Sequence, residues 1–320
     1  MTHHPHVSIV VCTYNKAASL RVTLASLAAQ VTPPDLVWEL LVVDNNSTDA
    51  TPGVVEEFAS SARVPVRAVF VPDQGLSHAR NAGLTHSRGE VIGFTDDDVH
   101  PASDWVARIA AGMSKTGADI VGGRILPAWH EPPPAWLEQR VFHGLLSLMD
   151  YTTPADVLNA HRAPCVWGSN MAFRREVFDK VGLFDPRRGI QGTRRYGGEE
   201  TELVGRALAA GCRAVYDPEL VVWHRIGPER MRIRYLSHVA FRRAEGEVRV
   251  QPVGTRPSLL GVPLGMYRTT VRHVGRWFTA VVLRRPDTIQ RWLDCCRAAG
   301  AIWGACRRHV EKAPPVRSSA

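Results

Sequence analysis

The sequence predicts an α/β fold: a mainly parallel sheet with helices on both faces, followed by a basic helical C-terminal extension. Three observations carry this expectation. Apolar strand-like runs alternate with segments of helical spacing through the first 120 residues, the grammar of a parallel sheet with crossover helices. Polar clusters follow the C-terminal ends of three of these runs, at Thr13–Asn15, Asp44–Asp49 and Asp96–Asp98, and ligands of open parallel sheets bind at that edge. Charge is segregated. Residues 1–224 hold 20 Lys/Arg against 25 Asp/Glu, a net −5, whereas residues 225–320 hold 19 against 6, a net +13.

In chain order, "HVSIVVCTYN" reads as a buried strand closed by polar residues, and "KAASLRVTLASLAAQ" follows with Leu20, Leu24 and Leu27 at helical spacing. "WELLVVDNNSTD" is a second strand and polar turn, "ATPGVVEEFASSA" a helix, and "VPVRAVFVPD" a third strand. "LSHARNAGLTHS" is helical and "EVIGFTDDD" is a fourth strand. The pattern changes near residue 120. "PAWHEPPPAW" is a Pro/Trp-rich loop, "CVWGSNMAFRREVFDKVG" a short strand and helix, and "GGEETELVGRALAAG" a helix stopped by Gly. "CRAVYDPELVVWH" adds strand, and the text beyond residue 225 is Arg-rich and helical.

With 320 residues and 45% hydrophobic content, the chain can bury a sizeable core, which excludes general disorder. The six cysteines (Cys12, Cys165, Cys212, Cys295, Cys296, Cys306) form no CxxC pair, as in a reducing cytosol. His3, His4 and His6 read as a loose end rather than a metal site. The N-terminus lacks the basic and apolar regions of a signal peptide, and no apolar run of about 18 residues is present. The expected location is therefore cytoplasmic.

Asp44 ends a strand and precedes Asn45, Asn46, Ser47 and Asp49. Turn chemistry accounts for Ser47 and Asp49 but less well for Asp44, whose carboxylate could instead accept the imide N–H of uracil. Arg80 stands near a turn–helix junction, where a guanidinium suits a diphosphate; alone, it reads as an ordinary surface Arg. Asp96 and Asp98 point the same way on extended chain, and two such carboxylates bind a hard cation such as Mg²⁺ or Mn²⁺. The alternative is a solvated loop capping the next helix. Glu199, Glu200 and Glu202 follow Gly197 and Gly198. Acid enrichment at a helix start explains one or two of them, and a general base explains another. His224 places an imidazole at a strand tip, as a core histidine or a third metal ligand.

In order, "VSIVVCTYNKAASL", "VVDNNSTDAT", "QGLSHARNAGL", "GFTDDDVHP", "WGSNMAFRREVFDKVGLFD", "GGEETEL" and "VVWH" resemble the motifs of family 2 glycosyltransferases, over about residues 7–225. The resemblance implies the Rossmann-like GT-A fold and a nucleotide-sugar donor with uracil as its base. Thr13, Tyr14, Asn15, Asp44, Asn46, Arg80, Asp96 and Asp97 would border the nucleotide and its diphosphate. Asp96, Asp98 and His224 would hold Mg²⁺ or Mn²⁺. Trp167, Gly168, Ser169 and Asn170 would face the sugar or acceptor. The family usually reads Glu-Asp where this chain has Glu199-Glu200, so Glu200 inherits the role of base and Glu199 is the fallback.

Implied with these roles are a catalytic domain over residues 1–225, with a nucleotide half at 1–119 and an acceptor half at 120–225, and a basic helical region over 226–320. The implied reaction is inverting transfer from a UDP-sugar to a glycan or lipid-linked saccharide. Two other classes use similar parts: a sugar nucleotidyltransferase, which would carry a Gly-rich loop where "CTYNKAASL" stands, and a non-catalytic nucleotide-sugar-binding protein at the membrane. The basic tail carries Ile289, Trp292, Leu293, Cys296, Gly300, Trp303 and Cys306 at spacings of three and four, and "LLGVPLGMYRTTVRHVGRWFTAVVLRR" interleaves Arg with apolar residues. Such stripes either cover a core or lie in the plane of an anionic membrane on the cytoplasmic leaflet. No nucleic-acid module is visible.

Overall fold

The computed structural model describes residues 5–151, 157–158, 166–191, 194–250 and 258–312. His3, His4 and Cys165, weighed above, lie outside the described residues. The chain divides into two compact units: Met1–Pro132 with Ser147–Gly192 and Gly198–Gly227, and Pro133–Leu146 with Thr193–Gly197 and Pro228–Ala320.

The first unit opens with β1 (Val7–Thr13), α1 (Ala17–Ala28), β2 (Trp38–Asp44), α2 (Thr51–Ser61) and β3 (Val66–Phe70). It continues with α3 (Leu76–His86), β4 (Val91–Asp96), β5 (Val99–Pro101), α4 (Trp105–Thr116), β6 (Ile120–Trp129) and β7 (Val157–Leu158). β8 (Met171–Arg174), α5 (Arg175–Val181) and β9 (Gly189–Gln191) come next. Past β10 (Arg194–Tyr196), which belongs to the second unit, the first unit ends with α6 (Glu199–Ala209) and β11 (Ala214–Ile226).

The sheet order is β3-β2-β1-β4-β8-β6-β11-β5, with β7 also on β11. β3, β2, β1 and β4 run parallel, as the alternating strand–helix text requires. β1 and β2 are buried at every residue because helices cover both faces. Neighbouring residues of one strand show this. A Cβ on Gly83 of α3 would strike the Val10 side chain, whereas a Cβ on Gly93 of β4 would lie 2.8 Å from Ile9 Cδ1 and 3.1 Å from Ile109 Cδ1 of α4. Val10 and Ile9 point to opposite faces, so α3 and α4 cover opposite sides of the sheet.

The sheet is mixed beyond β4. β8 inserts antiparallel to both β4 and β6, β11 returns parallel to β6, and β5 pairs antiparallel to β11. β8 passes directly into α5 with no intervening loop. Phe94, Phe173, Phe178 and Phe184 cluster edge to face or tilted between β4, β8 and α5, with ring centroids 5.2–6.4 Å apart.

The second unit contains 3₁₀ turns at Ala135–Glu138, Arg140–Leu146 and Pro228–Met231, and α7 (Ile233–Val250). A hairpin of β12 (Ser258–Leu259) and β13 (Val262–Pro263) leads into α8 (Leu264–Val282) and α9 (Thr288–Lys312). The apolar stripe of 287–310 is mainly a packing surface, apart from the exposed Trp303. Leu293 and Ala305 are buried, and Gly300 and Gly304 lie so close to the α7 backbone at Phe241 and Glu245 that a Cβ would clash. Trp292 reaches Ser237 Oγ, 2.8 Å away, with its indole N–H. Among the described residues no helix is long and apolar enough to cross a membrane.

Candidate active site

Three parallel strands deliver polar residues to one edge of the first unit: Thr13 from β1, Asp44 from β2 and Asp96 from β4. The loops after β1 and β2 are stitched together. Asn15 adopts φ 51°, and its Oδ1 accepts the Thr48 N–H at 2.7 Å and the Asp49 N–H at 3.3 Å. The Asn15 N–H donates to Ser47 Oγ at 2.9 Å, and the Ala17 N–H to Asp49 Oδ2 at 3.1 Å. Thr13 is buried and Tyr14 exposed beside them.

Turn chemistry explains more of Asp44 than the sequence suggested, since its Oδ1 accepts the Ser47 N–H at 2.9 Å. Asn46 stands at φ 67° and donates from Nδ2 to Pro72 O at 3.3 Å. Asn45 holds the loop after β3. Its Nδ2 donates to Val71 O and Asp73 O, and its Oδ1 accepts the Gly75 N–H at 2.8 Å.

The acidic tip is tied down through its backbone, leaving its carboxylates to the recess. Asp97 O accepts the hydroxyls of Ser19 and Thr23, each at 2.9 Å. The Arg225 N–H donates to Asp98 O at 2.9 Å. This antiparallel meeting of β5 and β11 brings His224 Nε2 to 3.3 Å from Asp98 Oδ1. Asp96 retains 35% side-chain exposure; partial burial raises its pKa, Arg80 opposes the rise and Asp98 adds to it. Burial, with Asp98 adding, pushes Asp97 up to about 7.

Arg80 lies in the second turn of α3 rather than at its first amides, and it is buried. A buried guanidinium needs carboxylate partners. Its Nη1 lies 2.6 Å from Glu199 Oε1 and its Nη2 3.7 Å from Asp96 Oδ1, with the Phe184 ring beneath it at 5.7 Å. Burial lowers the Arg80 pKa, but Glu199 and Asp96 outweigh it and hold it above the ordinary value. Glu199 and Glu200 open α6 after Gly198, which takes φ 95°. Burial, then the neighbouring Glu199, pushes Glu200 up to about 8. One carboxylate oxygen of each Glu, Oε2, is buried without a hydrogen-bond partner.

The Trp167–Asn170 turn closes against Arg80, whose Nη2 occupies the space a Cβ on Gly168 would need. Asn170 turns inward instead of toward a ligand. It donates to Arg124 O and Leu220 O at 2.8 Å and accepts the Trp105 indole N–H at 2.8 Å. Ser169 O accepts the Thr95 hydroxyl at 2.8 Å.

Arg225 was missed in the sequence, although it directly follows His224. Its Nη2 donates to Ser19 O and Ser19 Oγ at 2.6 and 2.7 Å, tying α1 to the acidic tip. Burial lowers its pKa against the pull of Asp98 and Asp97. Phe184 was missed as well; its signal was an aromatic two residues after the "KVG" helix stop. Cys12 lies nearby, and burial, partly offset by Arg80, pushes its thiol up to about 12, which makes it inert as a nucleophile.

Five carboxyl groups (Asp96, Asp97, Asp98, Glu199 and Glu200) thus meet around two guanidinium groups, Arg80 and Arg225. The recess has more acid than base and would accept a cation or a protonated partner. Among the described residues no three His, Cys, Asp or Glu side chains already converge as a metal site. Asp96, Asp98 and His224 would therefore need further oxygens from a ligand.

The family model described as "Glycosyl transferase family 2" matches residues 8–182, more than half of the chain. The succinoglycan biosynthesis protein ExoM of Rhizobium meliloti (strain 1021) is 27% identical over 237 residues, covering 74% of this chain and 72% of that protein. Two solved structures share the fold. A mannosyltransferase from Pyrobaculum calidifontis in complex with GDP-Man and Mn²⁺ superposes with a TM-score of 0.58 at 21% identity, over 98% of this chain and 77% of that one. S. aureus TarS 1–349 in complex with UDP-GlcNAc gives 0.53 at 18% identity, over 95% and 90%.

Proposed function

The chain belongs to glycosyl transferase family 2, and on that premise we propose that it transfers a sugar from a UDP-sugar to a hydroxyl of a saccharide or lipid-linked acceptor. The transfer is a single displacement with inversion at the anomeric carbon. The observation that carries this reading is the excess of carboxyl groups over guanidinium groups at the sheet edge, which a divalent cation would offset, and such a cation in turn attracts the anionic diphosphate of the donor.

Thr13, Tyr14, Asn15, Asp44 and Asn46 line the nucleotide side in this reading, with Asp44 receiving the uracil imide. The solved relatives carry GDP-Man in one case and UDP-GlcNAc in the other, so both diphosphate donors are at home on this fold. Mg²⁺ or Mn²⁺ is held by Asp96, Asp98 and His224 together with diphosphate oxygens, the pattern of a cation bound through a few protein ligands and substrate phosphates. A bound divalent ion supplies positive charge next to the departing diphosphate.

The chain's own residues do the rest. Glu200 takes the acceptor hydroxyl proton on its carboxylate, and a carboxyl titrating close to neutral pH suits a general base. Glu199 fits that role less well because Arg80 engages it at 2.6 Å. Arg80 holds Glu199 and Asp96 in register and adds positive charge beside the diphosphate. Asn170 fixes the Trp167–Ser169 turn from behind, and that turn meets the sugar or acceptor.

The catalytic domain in this reading spans residues 1–225, with a nucleotide half at 1–119 and an acceptor half at 120–225. Residues 226–320 form a basic helical region. The location is cytoplasmic, peripheral on the inner face of the membrane. A panel of nucleotide-sugars with Mn²⁺, read first by thermal shift and then by sugar transfer, tests the function. UDP-sugars should give the largest stabilisation, and Glu200→Gln should bind donor without transferring it. Stabilisation by donor with equal transfer in Glu200→Gln would remove Glu200 from its role. Binding with no turnover of any donor by the wild type would favour the non-catalytic reading.

A further inference from the structure

α8 presents three different faces. Its inner face packs on α9 within the second unit: Ala280 is fully buried, and Trp277 packs at a tilt on Trp292 with ring centroids 5.2 Å apart. A second face carries Leu264, Val271, Val274, Phe278, Val281 and Val282, all exposed, with Val271 at 73% and Phe278 at 63%. At 100° per residue these six fall within one stripe. The third face, alongside the stripe, carries Arg268, Arg272 and Arg276, all exposed, and Arg284 and Arg285 follow the end of the helix. No acidic residue occurs between Leu264 and Arg285. The adjoining hairpin exposes Leu259 and Leu260 in addition.

Scattered apolar residues on a surface need no explanation, but a continuous stripe along 19 residues of helix does. We propose that this face of α8 lies in the interfacial plane of an anionic membrane, with the six apolar side chains among the acyl chains and the arginine edge on lipid phosphates. Charge complementarity selects this occupant. A second copy of α8 on the stripe would set arginine edges against one another with no acid to pair them, whereas an anionic lipid surface neutralises every charge α8 carries. The helix lies in the surface and does not span it, in keeping with its interleaved arginines. The 287–310 stripe, the other membrane candidate in the sequence, is largely committed to α7. This inference deepens the proposed peripheral location and needs no sugar chemistry.

Flotation of the full chain with vesicles of phosphatidylcholine alone, or of phosphatidylcholine with phosphatidylglycerol, tests it. The wild type should float with anionic vesicles, and less so in high salt. Val271→Asp with Phe278→Asp should abolish flotation. Replacing Arg268, Arg272 and Arg276 by Gln should lower partitioning about a hundredfold on anionic vesicles, at about fivefold per basic residue. Val31→Asp, at another exposed apolar position, should leave flotation unchanged, and thermal melts check that every variant is folded. Glu200→Gln should float like the wild type, so loss of catalysis and loss of docking are separable. The inference is overturned if the wild type stays unbound at low salt, or if the stripe variant floats as well as the wild type. It is equally overturned if the wild type forms dimers that the stripe substitutions dissociate while no vesicle binding is seen.

Discussion

Replacing Glu200 by Gln should stabilise the protein, and by an amount that grows with pH. In the fold, burial and the neighbouring Glu199 raise the Glu200 carboxyl from 4.5 to about 8. A carboxyl raised on folding contributes stability below its unfolded pKa, and that contribution is lost as pH rises toward its folded pKa. For a single isolated group with these end points, the loss between about pH 5 and about pH 8 is roughly 3 kcal/mol. Sharing of charge with Glu199 brings the expected figure nearer 2 kcal/mol. Gln keeps the shape, can donate to Glu199 as the protonated acid does, and carries no charge to bury. Wild type and variant should therefore melt alike near pH 5. By about pH 8 the variant should melt roughly 5 °C higher, given how Tm scales with free energy for a unit of this size. Paired thermal melts across that range, without metal or nucleotide, are the assay. A difference in Tm that stays constant, or that shrinks as pH rises, would refute the claim that its surroundings raise the Glu200 carboxyl toward neutral pH.

Other consequences can be read with similar measurements. Arg80→Ala should cost about 3–5 kcal/mol, because it leaves Glu199 buried beside Glu200 without its counter-charge, read as the fall in Tm in a thermal melt. Asp98→Ala should abolish the extra Tm that Mn²⁺ gives in the presence of UDP, and should lower transfer about a hundredfold or more, while the metal-free melt changes little. Gly83→Ala should destabilise by about 1–3 kcal/mol from overpacking against Val10 and Val43, read by urea denaturation with donor affinity unchanged per folded molecule.

Much of the framework was legible because the physics behind it is local. Unbroken apolar runs such as "VSIVV" and "LLVV" fit strands covered on both faces, and their periodic alternation with helical segments fixed the order β1 to β4. Polar residues at strand ends marked the edge where Asp44, Asp96 and Asp98 gather. The seven motifs by themselves resemble those of family 2, to which the family model assigns the chain.

What the tertiary structure alone decided concerns partners distant in the chain. Whether Arg80 faced solvent or carboxylates depended on Glu199, 119 residues away. Whether Asn170 met a ligand or the core depended on Trp105, Arg124 and Leu220. Antiparallel β8 has no local signature, since a four-residue apolar strand reads alike in either direction. The two C-terminal stripes are similar as text, and only the packing of α9 on α7 left the α8 stripe uncovered. Sequence periodicity specifies which residues share a face of an element. Which face finds a partner is a property of the whole chain, because burial and pairing energies arise only once distant segments meet.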